Sequence, residues 1–478
     1  MTEYDSVYQF VELDTKSLMR LESMQPLSVS DVDEPLWAVL RQYAVPGFSQ
    51  NDYELTSLPL VPFQRGTVDV PMPSSDRLQN LTGVSSPSPA AAQRFRKTVQ
   101  AAIASGKTPL ETIANNPAMS LAEFSIPVAP DGTVFGTIDD ARRLIAADVL
   151  PSNLDGSGVN VVVIDAGIDK TMLPATGQFG GGWPCLPQGP GMPTPLPPGM
   201  TTGENALHGM MIVNNILAIA PNATIWDVPL IPPPKVGDIP SFLVAAKAVF
   251  SQILVDILGW QSVGVRTGPW VFMNAWAIYD RRSEASYLGE YTENLGTGGV
   301  PPHPFIAKIE DVANAGFDLV FCAGNCGEVC PDGRCGPNDY GPGRGIWGAN
   351  AHERVLTAGA VRVDGIWAGY SSEGPGPTPH LYQKKPDFCA PSQFAGIDGK
   401  YPLNSGTSAA AAITAGVVCA LRSQTGSNWS QTKVPPDKLR QILNSTATQL
   451  QGSGWNRWLG NGILNAGAAY QQLRTQFP

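Results

Sequence analysis

Of the four histidines in the chain, His208 alone opens an apolar helical stretch, Asn205-Ala-Leu-His-Gly-Met-Met-Ile-Val213. A ring at a helix start projects beyond the edge of an α/β sheet, where such folds place their ligands. His303, in Pro301-Pro-His-Pro304, and His380, after Pro379, have exposed loop settings, and His352 lies in a turn-like approach to a strand. A lone histidine is most often a satisfied surface residue. Three other residues change that weighting. Asp165 ends the run Val159-Asn-Val-Val-Val-Ile164, and a carboxylate there is costly unless a partner such as an imidazole N–H pairs with it. Ser408 lies in Asn404-Ser-Gly-Thr-Ser-Ala-Ala-Ala-Ala412, where small neighbours allow close backbone approach; plain helix capping is the alternative reading. Asn325, in Phe321-Cys-Ala-Gly-Asn-Cys-Gly327, follows a strand and a glycine and is placed to donate to a developing oxyanion.

The elements that must position these groups alternate. Strands are expected at Val159–Ile164, Thr224–Val228, Trp270–Met273, Leu319–Ala323 and Val355–Ala360, and helices at His208–Ala218, Ser241–Gly259, Ile306–Ala315 and Ser408–Arg422. This order implies an α/β fold with a mostly parallel central sheet and helices on both faces. Gly177–Gly203, dense in Gly and Pro, reads as a long surface loop. The first 137 residues differ in texture and read as an N-terminal extension, leaving 138–478 as the main domain. Within the extension, Leu58–Pro89 reads as linker, Ala90–Ile113 as helix and Phe124–Val128 as a short strand; Thr137-Ile-Asp-Asp140 caps a helix running to Ala147.

The chain has 478 residues and a net charge of −10, with 43% hydrophobic and 15% charged residues. That length is ample for a packed core. The acidic balance argues against nucleic acid as a partner, since that affinity comes largely from clustered Lys and Arg. No basic start with an apolar run, as a secretory signal needs, is present, and the longest apolar segment, Met210–Ala220, is short for a membrane helix. A cytoplasmic protein with no membrane partner is expected, with export by another route left open. Seven cysteines include Cys322, Cys326, Cys330 and Cys335, whose spacing matches zinc knuckles poorly. Free thiols, or a Cys330–Cys335 disulfide across the Asp332-Gly333 turn, are the other readings.

Taken in order, these blocks resemble those of the subtilases, the subtilisin-like serine proteases. Val161-Val-Val-Ile-Asp-Ala-Gly-Ile-Asp169 is similar to the family's Asp block, Asn205-Ala-Leu-His-Gly209 to its His block, and Leu319–Gly327 to its A-A-G-N-x-G block. The stretch from Ser405 to Gly416 resembles G-T-S-M-A-x-P-x-V-A-G, and Gly460-Asn-Gly-Ile-Leu-Asn-Ala466 the closing segment. The resemblance covers roughly 138–478. It implies a subtilisin-like fold and a serine endopeptidase: Ser408 as nucleophile, His208 as general base and then acid, Asp165 orienting the imidazole, and Asn325 in the oxyanion hole. It also implies a substrate cleft lined by Asn274, Ala275 and Trp276 together with Ala323 and Gly324, to which a protein or peptide adds as a strand.

The departures point to a divergent branch. His208 is followed by Gly-Met-Met-Ile-Val-Asn214, Ala412 stands for the usual Pro, Ala275 for Ser and Ala166 for Thr. A catalytically weak or inactive fold that binds extended peptides is the alternative. Calcium is frequent in the family, but the sequence has no D-x-[DN]-x-[DN]-G loop, and no cofactor is identified. The extension reads as a propeptide, an inhibitory segment or a partner-docking region, and a selective intracellular processing role is expected. Glu328 and Asp332 would favour a basic residue before the cut.

Overall fold

In this computed structural model the described residues are 7–13, 54–57, 81–86, 88–106, 110–115, 120–121 and 134–478, the last with gaps at 174–177, 185–196, 232–241, 283, 285–289, 294–302, 378–383, 397–402, 427–428 and 451–453. His380, Cys185 and the expected strand at 124–128 lie outside them.

Near the N-terminus, β1 (Val7–Leu13), β2 (Glu54–Ser57), β3 (Leu81–Ser86) and β4 (Leu110–Asn115) form an antiparallel sheet in the order β2-β3-β1-β4. Helix α1 (Pro89–Ala104) packs on it; its N-cap Ser88 accepts from the Ala91 N–H, and Pro89 occupies the first turn, where its missing N–H costs nothing. The expected helix over 90–113 is therefore shorter: it stops at Ala104, ahead of Ser105-Gly106, and Leu110–Ile113 belongs to β4. Part of the expected linker at 58–89 is likewise β3.

A short strand, β5 (Ser120–Leu121), precedes α2 (Ile138–Leu144), which starts with a Thr137–Asp140 capping box. The central sheet has seven parallel strands in the order β13-β12-β11-β9-β6-β8-β7. These are β6 (Asn160–Asp165), β7 (Gln178–Gly182), β8 (Thr224–Pro229), β9 (Trp270–Asn274), β11 (Asp318–Cys322), β12 (Leu356–Val361) and β13 (Phe388–Pro391), with the two-residue β10 (Trp276–Ala277) directly after β9. The expected surface loop at 177–203 thus contains an edge strand, β7, whose glycines lie against Trp226 and the β8 backbone.

Alternation along β6 explains its unbroken apolar run. Val161 and Val163 face a core with α3 (Leu207–Ile219) and α6 (Gly406–Leu421), whereas Val162 and Ile164 face the opposite core with α4 (Phe242–Ser262) and α5 (Pro304–Asn314). The second core is rich in aromatics: Trp183, Trp226, Trp260 and Trp270 meet at centroid separations of 5.2–6.0 Å. Helices α7 (Pro436–Thr446) and α8 (Ala466–Gln476) complete the first layer. Among the described residues α4 is the one helix long and apolar enough to cross a membrane, longer than the Met210–Ala220 stretch, and most of it is buried in this core.

Sheet order places the site. From β6 the chain moves to β7 and β8 on one side, then crosses to β9, β11, β12 and β13 on the other. A crevice opens at such a reversal, beyond the carboxyl ends of the strands. Asp165, Asn274 and the Ala323-Gly324-Asn325 turn all follow there.

Candidate active site

Asp165 closes β6 and is buried. Its carboxylate accepts from the Ala166 N–H at 2.7 Å and lies 2.8 and 2.9 Å from Nδ1 of His208. His208, the second residue of α3, is buried as well. That contact requires the helix start to press on the turn after Asp165, and Gly209 permits it: a Cβ there would lie 2.2 Å from the Gly167 carbonyl oxygen. Nδ1 donates to the carboxylate, which fixes the tautomer and leaves Nε2 as the proton acceptor. Nε2 is buried and has no hydrogen-bond partner among the described residues.

Ser408 lies in the first turn of α6, every residue of which is buried. Gly406 takes φ +71° as the chain enters the helix. The Ser408 hydroxyl donates to the Ala275 carbonyl at 3.4 Å, a long bond, so the serine–histidine hydrogen bond is not formed here. Its backbone N–H, within the first helical turn, has no intrahelical acceptor to serve and is oriented as a donor at the helix N-terminus.

Asn325 is held from behind. Its Oδ1 accepts from the Thr407 N–H and the Thr407 hydroxyl, each at 2.9 Å, and the same hydroxyl accepts from the Gly324 N–H at 3.0 Å. A backbone N–H can only donate, so Oδ1 must face Thr407 and Nδ2 is the donor end of the amide. Gly324 has φ +93°, and a Cβ there would sit 3.0 Å from Ser372 Oγ. Thr407, one position before Ser408 in the serine block, thus braces the Asn325 amide; no reactive group of its own marks it in the sequence.

The residues expected to line the cleft divide by role. Ala275 supplies the carbonyl that meets Ser408, and Ala323 runs on from β11 with its N–H on the Ala358 carbonyl at 2.9 Å. The Asn274 side chain turns into the sheet, with Nδ2 3.4 Å from the carbonyls of Phe272 and Val320. The Trp276 ring packs on Phe242, Phe305 and Phe321 in the core. What β10 offers outward is backbone, and that edge is taken: β5 pairs with it antiparallel, Leu121 opposite Trp276 and Ser120 opposite Ala277.

Three further expectations change. The disulfide is Cys326–Cys335, not Cys330–Cys335; Cys330 and Cys322 are free thiols. It closes the loop that starts at Asn325, whose carbonyl accepts from the Asp332 N–H at 2.9 Å. Glu328 and Asp332 are already matched, by Arg457 at 3.4 Å and Arg334 at 2.9 Å, which removes the ground for a basic-residue preference. His303 is no loop residue: it is buried and caps α5, its ring accepting from the Phe305 N–H at 3.2 Å. Burial pushes the Cys322 thiol, behind Asn325, up to about 12, so it stays protonated. Among the described residues no cluster of three or more His, Cys, Asp or Glu is placed to hold a metal ion.

A parallel sheet carrying a carboxylate–imidazole pair at its switch point, with a serine at the start of a buried helix, defines a subtilisin-like α/β fold. The subtilase family model matches residues 156–462, and the chain belongs to that family of serine proteases. Fervidolysin from Fervidobacterium pennivorans, a keratinolytic enzyme related to subtilisin, superposes with a TM-score of 0.55 at 15% identity, a likeness of fold. The match covers 98% of this chain and 61% of that one, so the protein spans about three-fifths of that relative's length. No curated protein sequence shows significant similarity.

Proposed function

We propose that the protein is a serine endopeptidase working through Asp165, His208 and Ser408, with Asn325 and the Ser408 N–H as the oxyanion hole. The observation that carries this reading is the buried Asp165–His208 pair, with its imidazole fixed in the tautomer a general base needs. In the acylation step the Ser408 Oγ–C bond forms while the hydroxyl proton passes to His208 Nε2. Asn325 Nδ2 and the Ser408 N–H take the charge that develops on the carbonyl oxygen. Collapse breaks the C–N bond, and His208 returns the proton to the leaving amine; water then repeats the sequence to release the acid and restore the serine.

The same reading makes the N-terminal region an intramolecular inhibitor. Its support is β5, which occupies the edge of β10 where an extended substrate would add. A protease covered by its own chain acts only once that strand leaves, which suits selective processing over bulk digestion. A second reading, a peptide-binding fold with little or no activity, draws on the Ser408 hydroxyl bonding Ala275 and not His208. Hydrogen bonds of this kind are often loose before substrate arrives. A fluorophosphonate probe separates the two: covalent labelling of the parent, lost in Ser408→Ala, is the expected result, and an unlabelled parent that still binds peptide would favour the second.

A further inference from the structure

We propose that Arg96 is the latch of the N-terminal region, its guanidinium paired with Glu290 in a socket that holds a second buried carboxylate, Glu284, on the stretch of chain that follows the substrate-binding edge. The proposal rests on the inhibitory reading above and names what holds that inhibitor in place.

The latch crosses a long stretch of sequence. Arg96 projects from α1, and its Nη1 donates to Glu290 Oε2 at 2.5 Å; the two side chains are only 3% and 1% exposed. An ion pair this dry between elements 194 residues apart is not a solvated surface contact. The socket has supports of its own that do not involve the arginine. Glu284 accepts the backbone N–H groups of Tyr291 and, at 3.3 Å, Thr292, while the Thr292 carbonyl accepts from the Gly348 N–H at 3.0 Å. The Tyr291 ring meets His303 edge-on at 5.1 Å, and its hydroxyl accepts from the Ala349 N–H at 3.2 Å. Burial, reinforced by the charge on Glu290, pushes Glu284 up to about 8, so at neutral pH it is largely protonated. The charge left in the socket is that of Glu290, and Arg96 answers it.

The socket and the substrate-binding edge belong to one stretch of chain. Glu284 follows β10 by seven residues, so the N-terminal region grips this stretch twice, with β5 on β10 and Arg96 on Glu290. A two-residue strand pair is too small to persist alone. Tethering it to a second contact raises its effective concentration, and release of either contact loosens the other.

The test is Arg96→Met in the full chain, read by hydrogen exchange at α1, at β10 and, as a control for the fold, at α6. Removing one partner of a buried pair typically costs enough to raise the opening equilibrium roughly 10²–10³-fold, so exchange at α1 and β10 should rise by at least about 100-fold with α6 unchanged. Arg96→Met with Glu290→Met removes both charges and should restore much of the protection. If α6 also loosens in Arg96→Met, Arg96→Lys carries the same test, since lysine keeps the charge but not the planar fork. Parent-like exchange at β10 with α6 intact overturns the latch. Faster exchange at β10 without faster fluorophosphonate labelling of Ser408 upholds the latch and overturns the inhibitory reading.

Discussion

Thr407→Val removes one oxygen and little else, which makes it the most direct test of how the proposed oxyanion hole is held. The Thr407 hydroxyl makes two buried bonds, donating to Asn325 Oδ1 at 2.9 Å and accepting from the Gly324 N–H at 3.0 Å. Valine takes the hydroxyl acceptor from the Gly324 N–H, and a poorly satisfied buried donor costs up to about 1–3 kcal/mol of stability. Asn325 keeps the Thr407 N–H on its oxygen but loses the hydroxyl, so its amide is held less firmly. Losing the Asn325 donor outright is worth roughly 10²–10³ in turnover for a subtilisin-type site. A loosened donor should cost less, about tenfold in kcat, or ~1.4 kcal/mol, with KM little changed because the bond forms in the transition state. The assay is steady-state hydrolysis of a chromogenic peptide by the parent, Thr407→Val, Asn325→Ala and the double variant. If Thr407 acts through Asn325, the valine should cost nothing further once the asparagine is gone. Full additivity of the two losses, or a parent-like kcat in a Thr407→Val protein shown to be less stable, would refute the reasoning.

Two other perturbations test the neighbourhood. Asp227 on β8 is buried, accepts from the Gly199 N–H at 2.7 Å, and is pushed up to about 7 by burial and, secondarily, by the charge of Asp165. A carboxyl raised in the fold contributes stability fully below its unfolded pKa near 4 and loses it as pH rises through 7. Asp227→Asn should therefore show a flatter profile of thermal midpoint against pH than the parent, gaining on it between pH 4 and 8 by a few kcal/mol in order of magnitude; parallel profiles would count against a proton held there. The Cys326–Cys335 disulfide closes a loop of about ten residues, which corresponds to about 2–3 kcal/mol. Because that loop begins at Asn325, reductant should lower the parent's turnover and leave Cys326→Ser, already slowed, unmoved. Equal activity of both proteins in both conditions would sink the coupling.

How much of this was legible in the sequence depends on the range of the interactions that decide each feature. Asp165 announces itself because a carboxylate at the end of a β-branched run demands a partner wherever the strand lies, and His208 and Asn325 sit at comparable element ends. The parallel sheet follows from the same runs, since Val161 and Val162 can both be apolar only if both faces are covered. Features decided by distant contacts were not legible. Strand β7 is mostly glycine, and its place depends on the Trp226 ring and the β8 backbone, not on its own propensity. The turn at Asp332-Gly333 points to Cys330 as the partner of Cys335, whereas the loop folded on the Asn325 carbonyl brings Cys326 there instead. His303, between prolines, reads as exposed; it is buried, with the Tyr291 ring edge-on at 5.1 Å, a contact between residues twelve apart that no local pattern announces.

The helix that carries Ser408 has no solvent-facing side, and its alanines and valines are wedged between β9, β11, β12, β13 and α3. Gly416 shows how tight the wedge is, since a Cβ there would stand 2.9 Å from that of Ile219. Such a rod cannot slide or tilt without reopening the densest part of the molecule, so it belongs to the last elements to give way. On the inhibitory reading proposed above, activation would leave this helix in place and act at the edge of β10, at the molecule's periphery.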